Sequence, residues 1–278
     1  MSLLGRLRFS LRGAVVERFL SYDATDFARA LTTLGIRSGD VLMVHSSIRP
    51  ASGFRGKPLD MINVLKHAVG PNGLLVMPSM TYSGSSKAFL EGGGELRVHR
   101  HPSRMGLMSE VFRRGKDTYR SLSPTHPLLA WGNGAAPFLA DHHKTDRPFG
   151  PESPFARLLA MEGKILCVNA APETITFTHF LEDRIQEKLP FALYEPACYT
   201  GRVIEADGTV HNVPTRVLSD ESRRRRREEK LWRRARRTRV IHRARVGITR
   251  IEVVSCSDLT ALVDTMYSEG ESLFAAAS

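Results

Sequence analysis

The chain has 278 residues, of which 42% are hydrophobic and 25% are charged. These proportions are typical of a folded globular protein and exclude a disordered, collagen-like or disulfide-stabilised chain. No apolar run approaches the roughly 18 residues that span a bilayer, and arginines interrupt the first twenty residues. We therefore expect neither a membrane-spanning segment nor a signal peptide. The three cysteines are widely spaced and form no CxxC pair, which favours reduced thiols in a cytoplasmic protein.

The positive charge is confined to one segment. The chain carries a formal net charge of +11. Residues 221–250 hold 14 basic and 3 acidic side chains, so this segment accounts for all of the net charge and the remainder is neutral. A nucleic-acid-binding protein more often spreads its charge over a whole docking face. We therefore do not expect nucleic acid as the main partner.

The first two thirds of the chain alternate predicted helices with short apolar strands. Strands are predicted at 41–44, 74–77, 128–131 and 164–168. Helices are predicted at 24–35, 59–69, 105–114 and 155–161, after an amphipathic lead-in at 1–22. The polar, glycine-rich residues 83–103 are predicted as a long loop. Apolar strands of this kind are typical of a sheet covered on both faces, which predicts an α/β fold with a central mixed sheet flanked by helices.

The C-terminal third has a different pattern. Its predicted elements are a helix at 173–188, a hairpin of 199–205 and 210–213, an Arg-rich helix at 220–239, a strand at 247–254 and a closing helix at 259–267. They form an α+β extension of a single domain over 1–278, in which 220–245 is an Arg-rich helical segment. In the simplest interpretation that segment is a solvated helix on which Glu228 and Glu229 pair with the arginines beside Trp232.

The sequence TITFTHFLED places His179 and Glu182 three residues apart on a predicted helix, where they share a face. A carboxylate that accepts a hydrogen bond from one imidazole nitrogen fixes the tautomer and raises the basicity of the other nitrogen. This arrangement suits a general base, because imidazole titrates near the working pH. Asp183 is the alternative partner, and a surface histidine beside an acid is the simplest interpretation without a function.

Two other segments are candidates for a binding site. In RSLSPTHP, Pro124 and Pro127 constrain the backbone around Thr125 and His126, although an ordinary proline turn has the same pattern. The sequence HSS at 45–47 ends the first apolar strand, and α/β sheets bind ligands beyond the carboxyl ends of their strands.

Four loop histidines are candidate metal ligands: His99, His101, His142 and His143. They lack a nearby acidic or cysteine cluster with metal-binding spacing. We interpret them as solvated loop residues and expect no metal site.

Six segments carry a resemblance to a known family. They are GDVLMVHSS (39–47), VGPNGLLVMPS (69–79), RMGLMSEVFRR (104–114), RSLSPTHPLLAWG (120–132), PFGPESPFARLLAMEGKILCVN (148–169) and TFTHFLE (176–182). Taken in this order, they resemble the aminoglycoside 3-N-acetyltransferases, a group of antibiotic-resistance acyltransferases that use acetyl-CoA. The resemblance extends over about residues 25–270.

The resemblance implies roles for individual residues. His179 would deprotonate a substrate amine that attacks the acetyl thioester directly, and Glu182 would orient His179. Thr125 and His126 would lie beside the thioester and its developing oxyanion. The cosubstrate would be acetyl-CoA, bound by Ser46, Ser47, Ser79, Met105 and Ser121, with Arg104 or Arg120 near a phosphate. The resemblance is compatible with a homodimer.

The expected acceptor is a primary amine of an amino sugar or an aminoglycoside-like small molecule. Because the Arg-rich segment would repel a polycation unless it points away, an amino sugar bearing a phosphate or nucleotide, or another small amine of a biosynthetic pathway, fits the charge better. The alternative is an inactive family scaffold that binds RNA or an acidic partner through residues 223–245.

Overall fold

The computed structural model describes residues 18–48 and 52–276, together with Val16. A seven-stranded mixed sheet forms its centre, with the strand order β4-β5-β2-β1-β6-β10-β9. In chain order these strands are β1 (Val41–Ser46), β2 (Leu74–Pro78), β4 (Tyr119–Arg120), β5 (Leu128–Trp131), β6 (Lys164–Val168), β9 (His242–Val246) and β10 (Thr249–Ser255). The strand β1 is parallel to β2 and β6, while β5 and β10 are antiparallel to their neighbours. The predicted fold class is confirmed.

The central strands are apolar because both of their faces are covered. Successive side chains of a strand point to opposite faces, and in β1 Val41 and Met43 enter one hydrophobic cluster while Leu42 and Val44 enter the other. The same alternation holds in β2, β5 and β6. The sheet therefore lies between two cores.

Helices cover both faces of this sheet. The helices of the described ranges are α1 (Ala24–Thr33), α2 (Pro58–Val69), α3 (Ser86–Glu91), α4 (Leu107–Arg113), α5 (Ala135–Leu139), α6 (Pro154–Ala160), α7 (Phe177–Arg184), α8 (Asp220–Arg225), α9 (Glu228–Arg237) and α10 (Cys256–Ser268). Local chemistry determines several of the starts: Asp23 forms a capping box at α1, and a proline occupies the first turn of α2 and α6. No helix in the described ranges has the length and apolar character needed to cross a membrane. The predicted lead-in at 1–22 lies largely outside those ranges.

A second, three-stranded sheet corrects two predictions. It has the order β3-β7-β8 and comprises β3 (Glu95–Arg97), β7 (Tyr194–Ile204) and β8 (Val210–Leu218). The predicted loop at 83–103 in fact contains both α3 and β3, and the hairpin begins before Pro196. Pairing with β7, about 100 residues away, stabilises β3, and such a partner leaves no local pattern in the sequence.

The helical predictions on either side of β7 and β8 were also too long. Residues 173–188 form a short 3₁₀ turn, then α7, then a second 3₁₀ turn. The Arg-rich segment is broken after Arg225, where Arg226 adopts an extended backbone, and its end belongs to strand β9. The expected pairing of Glu228 and Glu229 with the arginines beside Trp232 is wrong as well, because Glu228 faces Arg226, and Arg234 pairs with Glu269 and Glu271.

Candidate active site

The predicted pair of His179 and Glu182 lies on α7. His179 is in the first turn of this helix, and its Nδ1 is 3.0 Å from Oε2 of Glu182. The Glu182 side chain is 0% exposed, whereas that of His179 is 21% exposed. Asp183, the alternative partner, accepts a hydrogen bond from Tyr194 Oη at 2.6 Å and another from Arg147. His179 therefore contacts Glu182 and not Asp183. The contact uses Nδ1 and does not involve Nε2, the other imidazole nitrogen.

Arg226 holds the other side of Glu182. Its Nε and Nη2 donate to Oε1 and Oε2 of Glu182 at 2.5 and 2.8 Å. Burial alone would raise the pKa of Glu182, but the hydrogen bonds from His179 and Arg226 outweigh it and hold this pKa below its ordinary value. Glu182 is therefore ionised at neutral pH, in contact with one imidazole and one guanidinium.

Sequence analysis missed Arg226. Five consecutive arginines occupy positions 223–227, and their spacing gives no sign of which one turns inward. The position at which α8 ends would have identified Arg226, but this end depends on the contact with Phe274, far along the chain.

Glu228 completes the group. Its carboxylate lies 3.4 Å from Arg226 Nε, and one potential ligand atom each of His179, Glu182 and Glu228 lies within 4.8 Å of the others. Burial and the charge of Glu182 raise the pKa of Glu228 to about 7. Spacing of this kind could hold a metal ion, but Arg226 already provides the cation between the two carboxylates.

The second predicted pair lies beside this group. His126 Nδ1 is 3.1 Å from Thr125 Oγ1, and the rings of His126 and His179 have centroids 6.4 Å apart. Phe149 packs against both rings, at 4.5 and 5.0 Å. Burial, reinforced by the neighbouring His179, lowers the pKa of His126 well below its usual range. The imidazole of His126 is therefore neutral at working pH.

A cavity of about 660 Å³ opens at the carboxyl ends of β1 and β2 and reaches Thr176, the residue before α7. Four of the predicted CoA-binding residues line it: Ser46, Ser47, Arg104 and Met105. This is the expected place for a ligand in an open α/β sheet, because strand ends leave free polar groups there.

The other three predicted CoA-binding residues are not among those that line this cavity. Ser79, Arg120 and Ser121 are buried. Arg120 donates to the carbonyl oxygens of Val98, His101 and Ser79, and Ser121 Oγ accepts from the backbone of Leu128. Both side chains thus tie loops to the sheet.

The cavity holds polar atoms that lack a protein partner. Nε2 of His45 and Oγ of Ser46 are buried, and no described residue forms a hydrogen bond with either atom. Both residues line the cavity, and burial lowers the pKa of His45 to about 4. Buried polar atoms are normally satisfied, so these two suit a ligand with hydrogen-bonding groups, such as the amides of a pantetheine arm. Sequence analysis had noted His45 only as part of HSS.

The loop histidines have structural contacts. His142 is buried, with Nδ1 2.9 Å from Ser121 Oγ and Nε2 3.0 Å from the Pro148 carbonyl oxygen, so its interpretation as solvated was wrong. His101 contacts the backbone amide of Arg97, and His143 packs against His211. Within the described ranges, none of the predicted loop histidines belongs to a cluster with metal-binding geometry.

Comparison with known proteins identifies the family. The model of the family described as aminoglycoside 3-N-acetyltransferase matches residues 43–268, which is most of the chain. The chain belongs to this family. The resemblance deduced from the six sequence segments is therefore confirmed.

Curated relatives of this acetyltransferase family match part of the chain. Aminoglycoside N(3)-acetyltransferase VII of Streptomyces paromomycinus is 32% identical over 171 residues, which is 57% of this chain and 59% of the relative. Aminoglycoside N(3)-acetyltransferase III of Pseudomonas aeruginosa is 30% identical over 55% of this chain and 60% of the relative. The chain thus spans about three fifths of the length of the curated relatives it matches.

Solved structures share the fold over almost the whole chain. A complex of AAC-IIIb with CoASH has a TM-score of 0.75 at 21% identity and covers 92% of this chain and 99% of that one. The YokD protein of Bacillus subtilis has a TM-score of 0.74 at 18% identity and covers 91% and 97%. The seven-stranded sheet and its helices are therefore those of this acetyltransferase family.

Proposed function

We propose that the protein transfers an acetyl group from acetyl-CoA to a primary amine of an amino sugar or an aminoglycoside-like molecule, with His179 as the general base. The observation that carries the proposal is the contact of His179 with the buried carboxylate of Glu182, on a helix that begins at the cavity. Membership of the acetyltransferase family gives the reaction class.

The chain's own residues define the proton transfer. Glu182 accepts a hydrogen bond from the Nδ1–H group of His179, which fixes the tautomer and leaves Nε2 as a proton acceptor. An ammonium group has no lone pair, so the acceptor must lose a proton before it attacks. Nε2 takes one proton from the ammonium group, and the neutral amine then attacks the thioester carbon. As the C–S bond breaks, the imidazolium returns its proton to the departing sulfur, and the remaining excess proton on the new amide nitrogen is released to solvent.

The cavity supplies the cosubstrate site. When bound, acetyl-CoA supplies the activated acetyl group. His45 Nε2 and Ser46 Oγ are available to its amide groups, and Arg104 at the cavity edge to a phosphate. Thr125 and His126 contact each other close to His179 and are proposed to stabilise the oxyanion that develops at the thioester.

The acceptor is proposed to carry an anionic group. The Arg-rich segment places Arg233, Arg236, Arg237 and Arg239 on the exposed surface. None of the four lines the cavity, so their effect is a long-range one, in which a basic surface slows the encounter with a polycation. A screen that compares kanamycin-type aminoglycosides with amino-sugar phosphates tests this point, and the phosphates are expected to be the better substrates. Efficient turnover of the aminoglycosides would overturn it.

The test of the reaction itself is His179→Ala. Acetyl transfer is expected to fall by about 10³-fold or more, while acetyl-CoA still raises the thermal midpoint, because the cavity residues are unchanged. A variant that remains fully active would refute the role of His179. If the unmodified protein has no transfer activity but binds RNA in a steeply salt-dependent manner, the inactive-scaffold alternative is correct.

A further inference from the structure

We propose that Arg226 is a positioning residue. It fixes the orientation of Glu182 and thereby keeps the imidazole of His179 oriented and neutral, as a base must be. The inference rests on the proposed function for its catalytic meaning. It also assigns a role to one residue of the Arg-rich segment, which the acetyl-transfer chemistry leaves unexplained.

The first argument is geometric. The guanidinium of Arg226 approaches Glu182 in the paired, planar arrangement that arginine forms with carboxylates, at 2.5 and 2.8 Å. Oε2 of Glu182 receives both this contact and the one from His179 Nδ1. With Arg226 only 16% exposed and Glu182 wholly buried, the carboxylate cannot rotate without breaking a charged hydrogen bond. Its orientation determines that of the imidazole.

The second argument is how the chain delivers this side chain. Helix α8 ends at Arg225, and the extended residue Arg226 forms a β-bridge with Phe274. Backbone hydrogen bonds at 2.7 Å flank the bridge, from Arg227 N to Leu273 O and from Ala275 N to Arg225 O. The segment 273–275 therefore holds the break after α8 open through this isolated bridge and turns Arg226 inward.

Three of the four neighbouring arginines have other contacts, and the fourth, Arg224, is exposed. Arg223 pairs with Asp220, Arg225 pairs with Glu221, and Arg227 donates to two nearby backbone carbonyl groups. Within the described part of the chain, Arg226 is the one member of this run of five arginines that contacts Glu182. A basic helix that is only solvated would not direct one particular arginine to a buried carboxylate.

The third argument is charge balance. The ionisable groups that face the His179 and Glu182 pair are His126 before β5, Arg226 and Glu228 at the start of α9, Tyr194 on β7 and Tyr267 on α10. Arg226 is the cation among them at neutral pH. Without it, the wholly buried carboxylate of Glu182 would keep His179 as its hydrogen-bonded partner and would favour the protonated form of that imidazole, which cannot accept a proton from an amine.

The experiment compares Arg226→Met with Arg224→Met, an exposed arginine of the same run, as the matched control. The chain is labelled with ¹³C-histidine, and the ring signals are titrated by NMR, with His179→Ala used for assignment. In Arg226→Met the titration midpoint of His179 is expected to rise by about one pH unit or more relative to the unmodified chain. In the control it should not move. An unchanged midpoint in a folded Arg226→Met protein would refute the inference.

A second variant separates orientation from charge. Arg226→Lys keeps the charge but loses the planar fork, so the midpoint should stay near that of the unmodified chain. With the best acceptor of the substrate screen, kcat should fall by about tenfold while KM for acetyl-CoA is unchanged. Full activity in Arg226→Lys would show that the fork is dispensable. The NMR titration needs no turnover, so the Arg226 contact can be confirmed even if the proposed acetyl transfer is wrong.

Discussion

Glu228 gives the stability of this protein an unusual pH dependence. Its side chain is 13% exposed, and burial together with the charge of Glu182 raises the pKa of Glu228 from 4.5 to about 7, despite the attraction of Arg226. Because the folded state keeps this proton to a higher pH than the unfolded chain does, the free energy of unfolding falls as the pH rises from about 4.5 to about 7. Above that range the loss is complete and constant.

Glu228→Gln removes the ionised form and should recover this loss. The difference between the two pKa values corresponds to about 3 kcal/mol, and since side chains relax around a charge we expect a gain of about 1–3 kcal/mol at pH 8. Near pH 4.5 the variant and the unmodified protein should be equally stable. Urea denaturation at several pH values between 4.5 and 8 measures the gain directly.

The adjacent Glu229 provides the matched control. Its side chain is exposed, so Glu229→Gln should change the free energy of unfolding by less than about 0.5 kcal/mol at every pH. A gain in Glu228→Gln that is the same at all pH values would point to packing instead of ionisation. A loss at pH 8 would show that Glu228 is stabilised as a carboxylate and would refute the reasoning.

Three further predictions concern the cavity and the core. Arg104→Ala should raise KM for acetyl-CoA by about tenfold, with little change in kcat, because this exposed side chain is proposed to bind a phosphate. Steady-state kinetics measure both constants, and a lower kcat at an unchanged KM would contradict the prediction. Trp232→Ala should cost about 3–5 kcal/mol in urea denaturation, because the indole is buried under the sheet, and Trp232→Phe should cost less. Gly132→Ala should cost about 3 kcal/mol, since Gly132 has a φ of +124° and an added Cβ would clash with the backbone oxygen of Gly73. Gly134→Ala, which meets only ordinary contacts, is its control.

The parts of the fold that the sequence predicted are those whose cause is local. Each apolar run of the central sheet is buried on both faces and therefore shows the pattern within five residues. The pair of His179 and Glu182 is also local, because one turn of helix brings the two side chains together. The residues at the end of β1 were placed at a cavity by the rule for open α/β sheets.

What the sequence did not reveal depends on distant partners. Arg226 meets Glu182 across 44 residues and is turned inward by an isolated bridge to Phe274, almost 50 residues further on. Strand β3 exists because β7 pairs with it. Arg120 and Ser121 look like ligand-binding residues by their place in RSLSPTHP, yet their side chains bind backbone groups of the protein itself.

The charge of the Arg-rich segment shows why counting residues was insufficient to assign its role. Arg226 and Arg234 each contact two carboxylates, all but one of which come from other parts of the chain, so their charge is balanced locally. Helix α9 buries Leu231 and Trp232, which fixes its rotation and keeps its remaining arginines on the outer surface. The Arg-rich segment thus supplies Arg226 as an inward cation beside the proposed base, and its exposed arginines give the outer surface a separate positive charge. The outward charge is proposed to influence which acceptor approaches, whereas Arg226 is proposed to orient Glu182 and, through it, His179. The acceptor screen and the histidine titration therefore test independent proposals.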